Sequence, residues 1–130
     1  MKLLYDSNIS NKLVQSSHFF LIPAIYAYYI KNHWFACMHV IIYIGSVNYW
    51  RCASNSWRRT ADIYISRASY VYHMYHYQRI SKWCIYLSLL TVIMSYYHDD
   101  KRLGPVLNTK WVPYHMCFHF FCAMGAWGLI

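Results

Sequence analysis

Short basic loops divide almost the whole chain into five apolar, aromatic-rich segments, 13–30, 34–50, 61–77, 83–97 and 113–130. Each runs about 15 to 18 residues, at or just under the ~20 that carry a helix across a bilayer core. Little sequence remains for a water-soluble domain. The pattern predicts an all-α fold, a polytopic membrane bundle of about five short transmembrane helices. It forms one domain over 1–130, with a short polar N-terminal lead over 1–12.

Composition agrees once the aromatic residues are weighed. Apolar residues make up 58% of the chain and charged residues 12%, against roughly 25% charged in an ordinary soluble domain. The mean hydropathy of +0.15 is low for a membrane protein because 15 Tyr, 6 Trp and 8 His are penalised by hydropathy indices. Their rings nevertheless bury large apolar areas. Amphipathic rings also favour the membrane–water interface, and short helices keep many residues near one.

Twelve Lys and Arg against four Asp give a net charge of +8. The cations are scattered through the loops, with neither a basic face nor a nucleic-acid-binding motif, so the chain is not expected to bind nucleic acid. Anionic headgroups, or an acidic protein layer on the membrane, are the simpler partners for that charge. In a five-span topology Lys2, Lys12, Arg51, Arg58, Arg59, Lys101, Arg102 and Lys110 share one side, while Lys31, Arg79 and Lys82 lie on the other. This bias puts the N-terminus in the cytosol and the C-terminus in a lumen or outside. The five cysteines, Cys37, Cys52, Cys84, Cys117 and Cys122, form no CxxC pair and read as reduced thiols. No cleavable signal is expected, since Asp6 falls in the would-be basic lead and no A-x-A site follows the first apolar run.

Within the spans, Ser16 or Ser17 is placed to cap the first helix, and Pro23 should kink it. The turn at 31–33 makes the first two spans an antiparallel hairpin. The remaining loops are expected at 51–60, 78–82 and 98–112, the last holding Gly104, Pro105 and the acidic pair Asp99–Asp100.

Ionisable groups inside a membrane are costly and therefore functional candidates. Ser46 near the end of the second span, Asp62 opening the third, His115 and His119 opening the fifth and His18 in the first all fall at one depth. His115 and His119 are i, i+4 partners on one helix face, a spacing that suits two imidazoles on one metal. Ser on the second helix, Asp on the third and His-x3-His on the last resemble the membrane hydrolases that include alkaline ceramidases and adiponectin-receptor-like proteins. The resemblance implies a zinc-dependent lipid amidase or related hydrolase, with catalytic Ser46 and Asp62 and zinc on His115 and His119. Those families have seven helices, and their third histidine falls where this chain has Trp50, leaving His18 as the substitute ligand. An indole nitrogen offers no ligand lone pair. A second resemblance spans Gly45-Ser46-Val47-Asn48-Tyr49-Trp50-Arg51, Trp57-Arg58-Arg59 with Asp62, and His115-x3-His119. It is to small uncharacterised multi-pass proteins of large algal DNA viruses, and it implies the inner membrane layer of a large virus particle as a setting.

Blander roles compete for the same residues. Asp62 fits an ion pair with Arg58, Arg59 or Arg67, or a helix-start carboxylate favoured by the helix dipole. His115 and His119 fit hydrogen bonds to loop carbonyls or water. His73 and His76 in the third span, with His39 in the second, could ligate a haem across helices. The tyrosines at 70, 72, 75 and 77 read as packing and interfacial anchors. The leading expectation is a structural or accessory membrane protein, not an enzyme, with lipid and other membrane or capsid proteins as partners and no cofactor or metal. The hydrolase is the alternative, and a haem-carrying redox subunit comes third.

Overall fold

The computed structural model describes residues 4–77, 82–98, 109–128 and 130. These are helical without a strand: α1 (Ser7–Ser17), a 3-10 turn (His18–Phe20), α2 (Leu21–Tyr29), α3 (His33–Trp50), α4 (Trp57–Tyr77), α5 (Lys82–His98) and α6 (Val112–Trp127). α1, the turn and α2 run on without a loop as one rod, so the five expected segments appear as five rods. Among the described residues no helix is both long and apolar enough to cross a membrane. α3 reaches 18 residues, or about 27 Å, but its His, Tyr, Trp, Ser and Asn residues lower its mean hydropathy. α4 is longer, and Arg58, Arg59, Asp62 and Arg67 interrupt it.

The first rod starts earlier than expected. Asp6 caps it, its Oδ1 accepting from the backbone N–H of Asn8 at 2.6 Å and of Ile9 at 3.0 Å. Half of the polar lead, residues 7–12, is therefore helix, anchored by Ile9 and Leu13, which are i, i+4 partners on its buried face. Ser16 and Ser17 are not caps but lie in the last turn of α1, fully buried. Near Pro23 the rod carries a 3-10 turn, His18–Phe20, where a kink was expected. Proline has no N–H for the Phe19 carbonyl and its ring crowds that carbonyl, so the preceding turn tightens to i, i+3 bonding.

The α2–α3 hairpin is closed by a Schellman-type turn. Asn32 N–H donates to the Ala27 carbonyl at 2.8 Å and Lys31 N–H to that of Tyr28 at 3.0 Å, which requires Lys31 to adopt φ 63°. Asn32 then caps α3 through its side chain, accepting from Phe35 N–H at 3.3 Å. Thus one lysine, one asparagine and two hydrogen bonds reverse the chain. The loop before α4 is shorter than expected, because α4 already begins at Trp57. α5 begins at Lys82 and ends at His98; the loop expectations for 78–81 and 99–108, with Gly104, Pro105, Asp99 and Asp100, lie outside the described residues.

The first rod packs between α3 and α6, with α4 beyond α3 and α5 beyond α6. Three apolar layers divide the interior. At the end shared by the start of α1, the end of α3 and the start of α6 lie Ile9, Leu13, Tyr49, Trp50, Trp111 and Val112, with Tyr5 against them. Phe20, Ile42 and Ala123 occupy the middle. Ala27, Phe35, Ala36 and Ala126 fill the opposite end. Many of these side chains are alanines, so the helices approach closely. At Gly45 a Cβ would come within 3.2 Å of Ile65 Cδ1, which sets the α3–α4 spacing there.

A non-glycine residue at positive φ costs about 1–2 kcal/mol, and Lys31 is exposed, so little else is lost by removing its side chain. Lys31→Gly should therefore stabilise the chain by about 1 kcal/mol. Denaturant titration of helicity measures it; a destabilised variant would mean that the Lys31 side chain carries a contact worth more than the strain.

Candidate functional site

Between the apolar layers lie two polar ones, and the expected site residues divide between them. The first centres on the Leu13 carbonyl. Ser16 Oγ and Ser17 Oγ both donate to it, at 3.0 and 2.8 Å. A carbonyl can only accept, so each hydroxyl proton is committed there and each hydroxyl oxygen is left to accept from elsewhere. His119 Nδ1 lies 2.8 Å from Ser16 Oγ, and Ser46 Oγ lies 2.8 Å from Ser17 Oγ. His119 is therefore an Nδ1–H donor to Ser16, and Ser46 donates to Ser17. Two consecutive serines of the first rod reach α6 on one side and α3 on the other.

His115 stacks edge-on against His119 with ring centroids 4.8 Å apart, and against Trp50 at 5.0 Å and Trp111 at 5.8 Å. The two histidines share a face, as their spacing requires, but an aromatic box closes over the outer one. Trp50 is part of that box, which explains the indole where the hydrolase pattern wants an imidazole. The indole N–H groups of Trp50 and Trp111 are buried without hydrogen-bond partners among the described residues.

The remaining members of the expected cluster do not join it. His18 is exposed, its Nδ1 2.9 Å from the Val14 carbonyl and 3.2 Å from that of Gln15, and Tyr43 OH stands 3.3 Å from its Nε2. With Nδ1–H spent on its own helix and Nε2 facing Tyr43, His18 does not substitute for the missing ligand. Among the described residues no three His, Cys, Asp or Glu side chains come together as a metal site. The set His18, His115 and His119 is thus not assembled, because a helical His bonds back to its own turn more readily than it crosses to α6.

Asp62 sits across from Gly45, its Oδ1 3.9 Å from the position a Cβ would take there. It is next to Ser46 in height yet forms no hydrogen bond or ion pair among the described residues. The arginines expected to pair with it are turned elsewhere. Arg58 lies over the Trp57 ring at 5.9 Å, Arg59 donates to Asn55 Oδ1 at 3.2 Å and Arg67 is exposed. The helix places Arg58 and Arg59 at the chain end of α4, where loop groups compete for them.

The second polar layer holds the histidines of the haem expectation. His39 Nε2 and His73 Nε2 are 3.2 Å apart across α3 and α4, both buried, with Phe35 packed on the pair at ring distances of 4.6 and 5.0 Å. At that separation the nitrogens bond each other and leave no room for an iron between them. His73 Nδ1–H donates to the Ser69 carbonyl, so His73 Nε2 accepts and His39 Nε2–H donates. His39 Nδ1 then keeps a bare lone pair, buried with no partner among the described residues. The His76 side chain lies outside the described residues.

No protein-family model, curated protein or solved structure matches the chain.

Ser16 and Ser17 are the site residues that sequence reasoning missed, adjacent serines inside an apolar run being the available signal. It brought His39 and His73 together across helices, but as haem ligands and not as a direct pair.

A buried imidazole stripped of its partner loses far more than a pair replaced together. His73→Phe should destabilise by about 1–3 kcal/mol, and the double variant His39→Phe/His73→Phe should recover most of that loss. Thermal unfolding of the four proteins measures the coupling. Strictly additive losses would mean that the two rings do not depend on each other.

Proposed function

We propose that this chain is a structural or accessory multi-pass membrane protein that packs, as a polar-cored helical bundle, within a larger membrane-bound assembly. The observation that carries this reading is that polar side chains share the interior while many large apolar ones face outwards. Buried side chains include Ser16, Ser17, Ser46, Ser69, Ser88, Thr91, Ser95, His39, His73 and His119, while Ile25 is 68% exposed, Val71 66% and Ile93 62%. In water such an exterior costs about 25 cal/mol per Å2 of apolar surface left wet, whereas in lipid it costs nothing, and hydroxyls between helices become the favoured interior.

The outward residues are also sorted by height. Aliphatic Ile41, Ile44, Val71, Leu89 and Ile93 are exposed along the middle of the rods, where Tyr64 and Tyr70 join them, whereas Tyr28, Tyr29, Trp34 and Tyr75 lie towards one end and Trp57 and Tyr96 towards the other. Aromatic girdles around an aliphatic belt are what two bilayer interfaces select. A helix inside such a bundle needs apolar residues only where it meets lipid, which is why a bundle can suit a bilayer although no single described helix is long and apolar enough.

The accessory role follows from how the polar groups are used. A nucleophilic serine needs a base to take its proton, and the nearest partner of Ser46 is another hydroxyl. Among the described residues no imidazole is hydrogen-bonded to Asp62. The interior polarity is spent on holding helices together, and the +8 charge gives the loops at the N-terminal side a surface for anionic headgroups or acidic partners.

Two measurements on the full chain test this. It should remain in the membrane fraction after alkaline carbonate extraction. With the native cysteines replaced, Asn55→Cys and Lys110→Cys should label from the same side of sealed vesicles and Lys31→Cys from the other, the first two on the cytosolic side. Release by carbonate would overturn the membrane setting; opposite accessibility of positions 55 and 110 would overturn the five-rod topology.

A further inference from the structure

We infer that the outward face of α4 docks a transmembrane partner helix that carries a carboxylate at mid-depth, with Arg67 as its counter-ion. The inference rests on the proposed membrane setting. α4 runs for 21 residues from Trp57 to Tyr77, and Arg67 is its central residue, about 15 Å from either end. That exceeds what a snorkelling side chain covers. Neighbouring contacts give the same depth independently. Gly45 of α3 meets Ile65, and His39 meets His73, so in this antiparallel pair Arg67 stands level with Tyr43 and Ile44. Ile44 is exposed as a lipid-facing residue would be. Arg67 is exposed at that same height, with no ion pair or hydrogen bond among the described residues.

A bare guanidinium at the centre of a bilayer is the most expensive arrangement that this exterior contains. It does not stand in a polar patch, since Ile63, Tyr64, Val71 and Tyr75 on the same helix are exposed around it. α4 is also an outer helix, packed chiefly on α3, so this face is the side of the bundle open to a neighbour. What the face lacks is one negative charge, placed level with Arg67 and surrounded by apolar side chains.

A second copy of the chain is poorly suited to supply it. Of the four acids, Asp6 caps α1, Asp62 faces Gly45 of its own α3, and Asp99 and Asp100 follow the end of α5 in sequence. A different helix with a central Glu or Asp meets both requirements, forming a charge-assisted, two-pronged bond to the guanidinium fork.

The test uses the full chain, donor-labelled at its N-terminus, in phosphatidylcholine vesicles with acceptor-labelled synthetic single-span Leu/Ala helices carrying a central Glu or a central Gln. Energy transfer should report association roughly three- to twentyfold tighter for the Glu helix. Arg67→Leu should abolish the difference, and Arg67→Glu should transfer the preference to a helix with a central Lys. Arg67 forms no hydrogen bond or ion pair within the chain among the described residues, so these variants should fold, and unchanged helicity checks that. Equal transfer to the Glu and Gln helices, or a preference that survives Arg67→Leu, would overturn the proposal. So would Arg67-dependent transfer between two copies of the chain without discrimination among the peptides. Each of these leaves carbonate-resistant insertion intact, whereas a chain extracted by carbonate fails at the membrane setting and takes this inference with it.

Discussion

The consecutive hydroxyls of Ser16 and Ser17 leave the first rod about 100° apart, as neighbouring residues on a helix must, and that divergence organises the centre of the bundle. One receives His119 of α6 at 2.8 Å and the other Ser46 of α3 at 2.8 Å, while both are held by the Leu13 carbonyl. Neither serine can rotate towards another partner without abandoning that carbonyl. The first rod therefore meets its two flanking helices at one fixed height, and the apolar layers above and below are registered by it. Without this link, alanine-rich contacts such as Ala24, Ala27, Ala123 and Ala126 would let the helices slide, since small smooth side chains define register weakly.

The magnitudes favour this division of labour in the proposed setting. In lipid, burying an alkyl group between helices exchanges one apolar contact for another, so close packing and interhelical hydrogen bonds decide association, at about 0.6 kcal/mol for an average bond. Small residues contribute by letting helix axes approach, as Gly45 does against Ile65. The hydroxyl and imidazole bonds then add direction to a contact that packing alone leaves unspecific. The first polar layer fixes three helices; the His39–His73 bond at 3.2 Å extends the same arrangement to α4.

Element existence was legible in the sequence, and most differences fall where a residue type serves two physical roles. The five apolar runs match the five rods because their lengths and dividing loops are unambiguous. The start of α1 was hidden because Ser-Asn-Ile-Ser-Asn-Lys looks like a loop, although Asp6 directly before it and the i, i+4 pair Ile9 and Leu13 carried the helix signal. Ser16 and Ser17 suggest caps since serine favours helix ends, but a buried serine in an apolar helix is equally at home bonding to the carbonyl four residues back. Of the candidate site, the sequence revealed the shared face of His115 and His119 and the similar height of Ser46 and Asp62. What those groups bond to depended on the first rod lying between α3 and α6, a choice of neighbours that no single helix encodes.

A polar cluster becomes a reaction centre only if some lone pairs and protons remain uncommitted, and here the commitments run the other way. His119 gives its Nδ1 proton to Ser16, Ser46 gives its hydroxyl proton to Ser17, and both serines give theirs to the backbone. The relay ends on a carbonyl, which cannot take up a proton as a base would, so no step in it creates a nucleophile. Two acceptors stand outside this relay: the Asp62 carboxylate, which forms no hydrogen bond or ion pair among the described residues, and the buried Nδ1 lone pair of His39, in a separate layer stacked on Phe35. His119 and His39 each donate one ring N–H across helices, and His73 both donates and accepts. Bonding of this kind uses imidazole's two unlike nitrogens on one rigid ring, and it lets a buried histidine link two helices in a fixed direction.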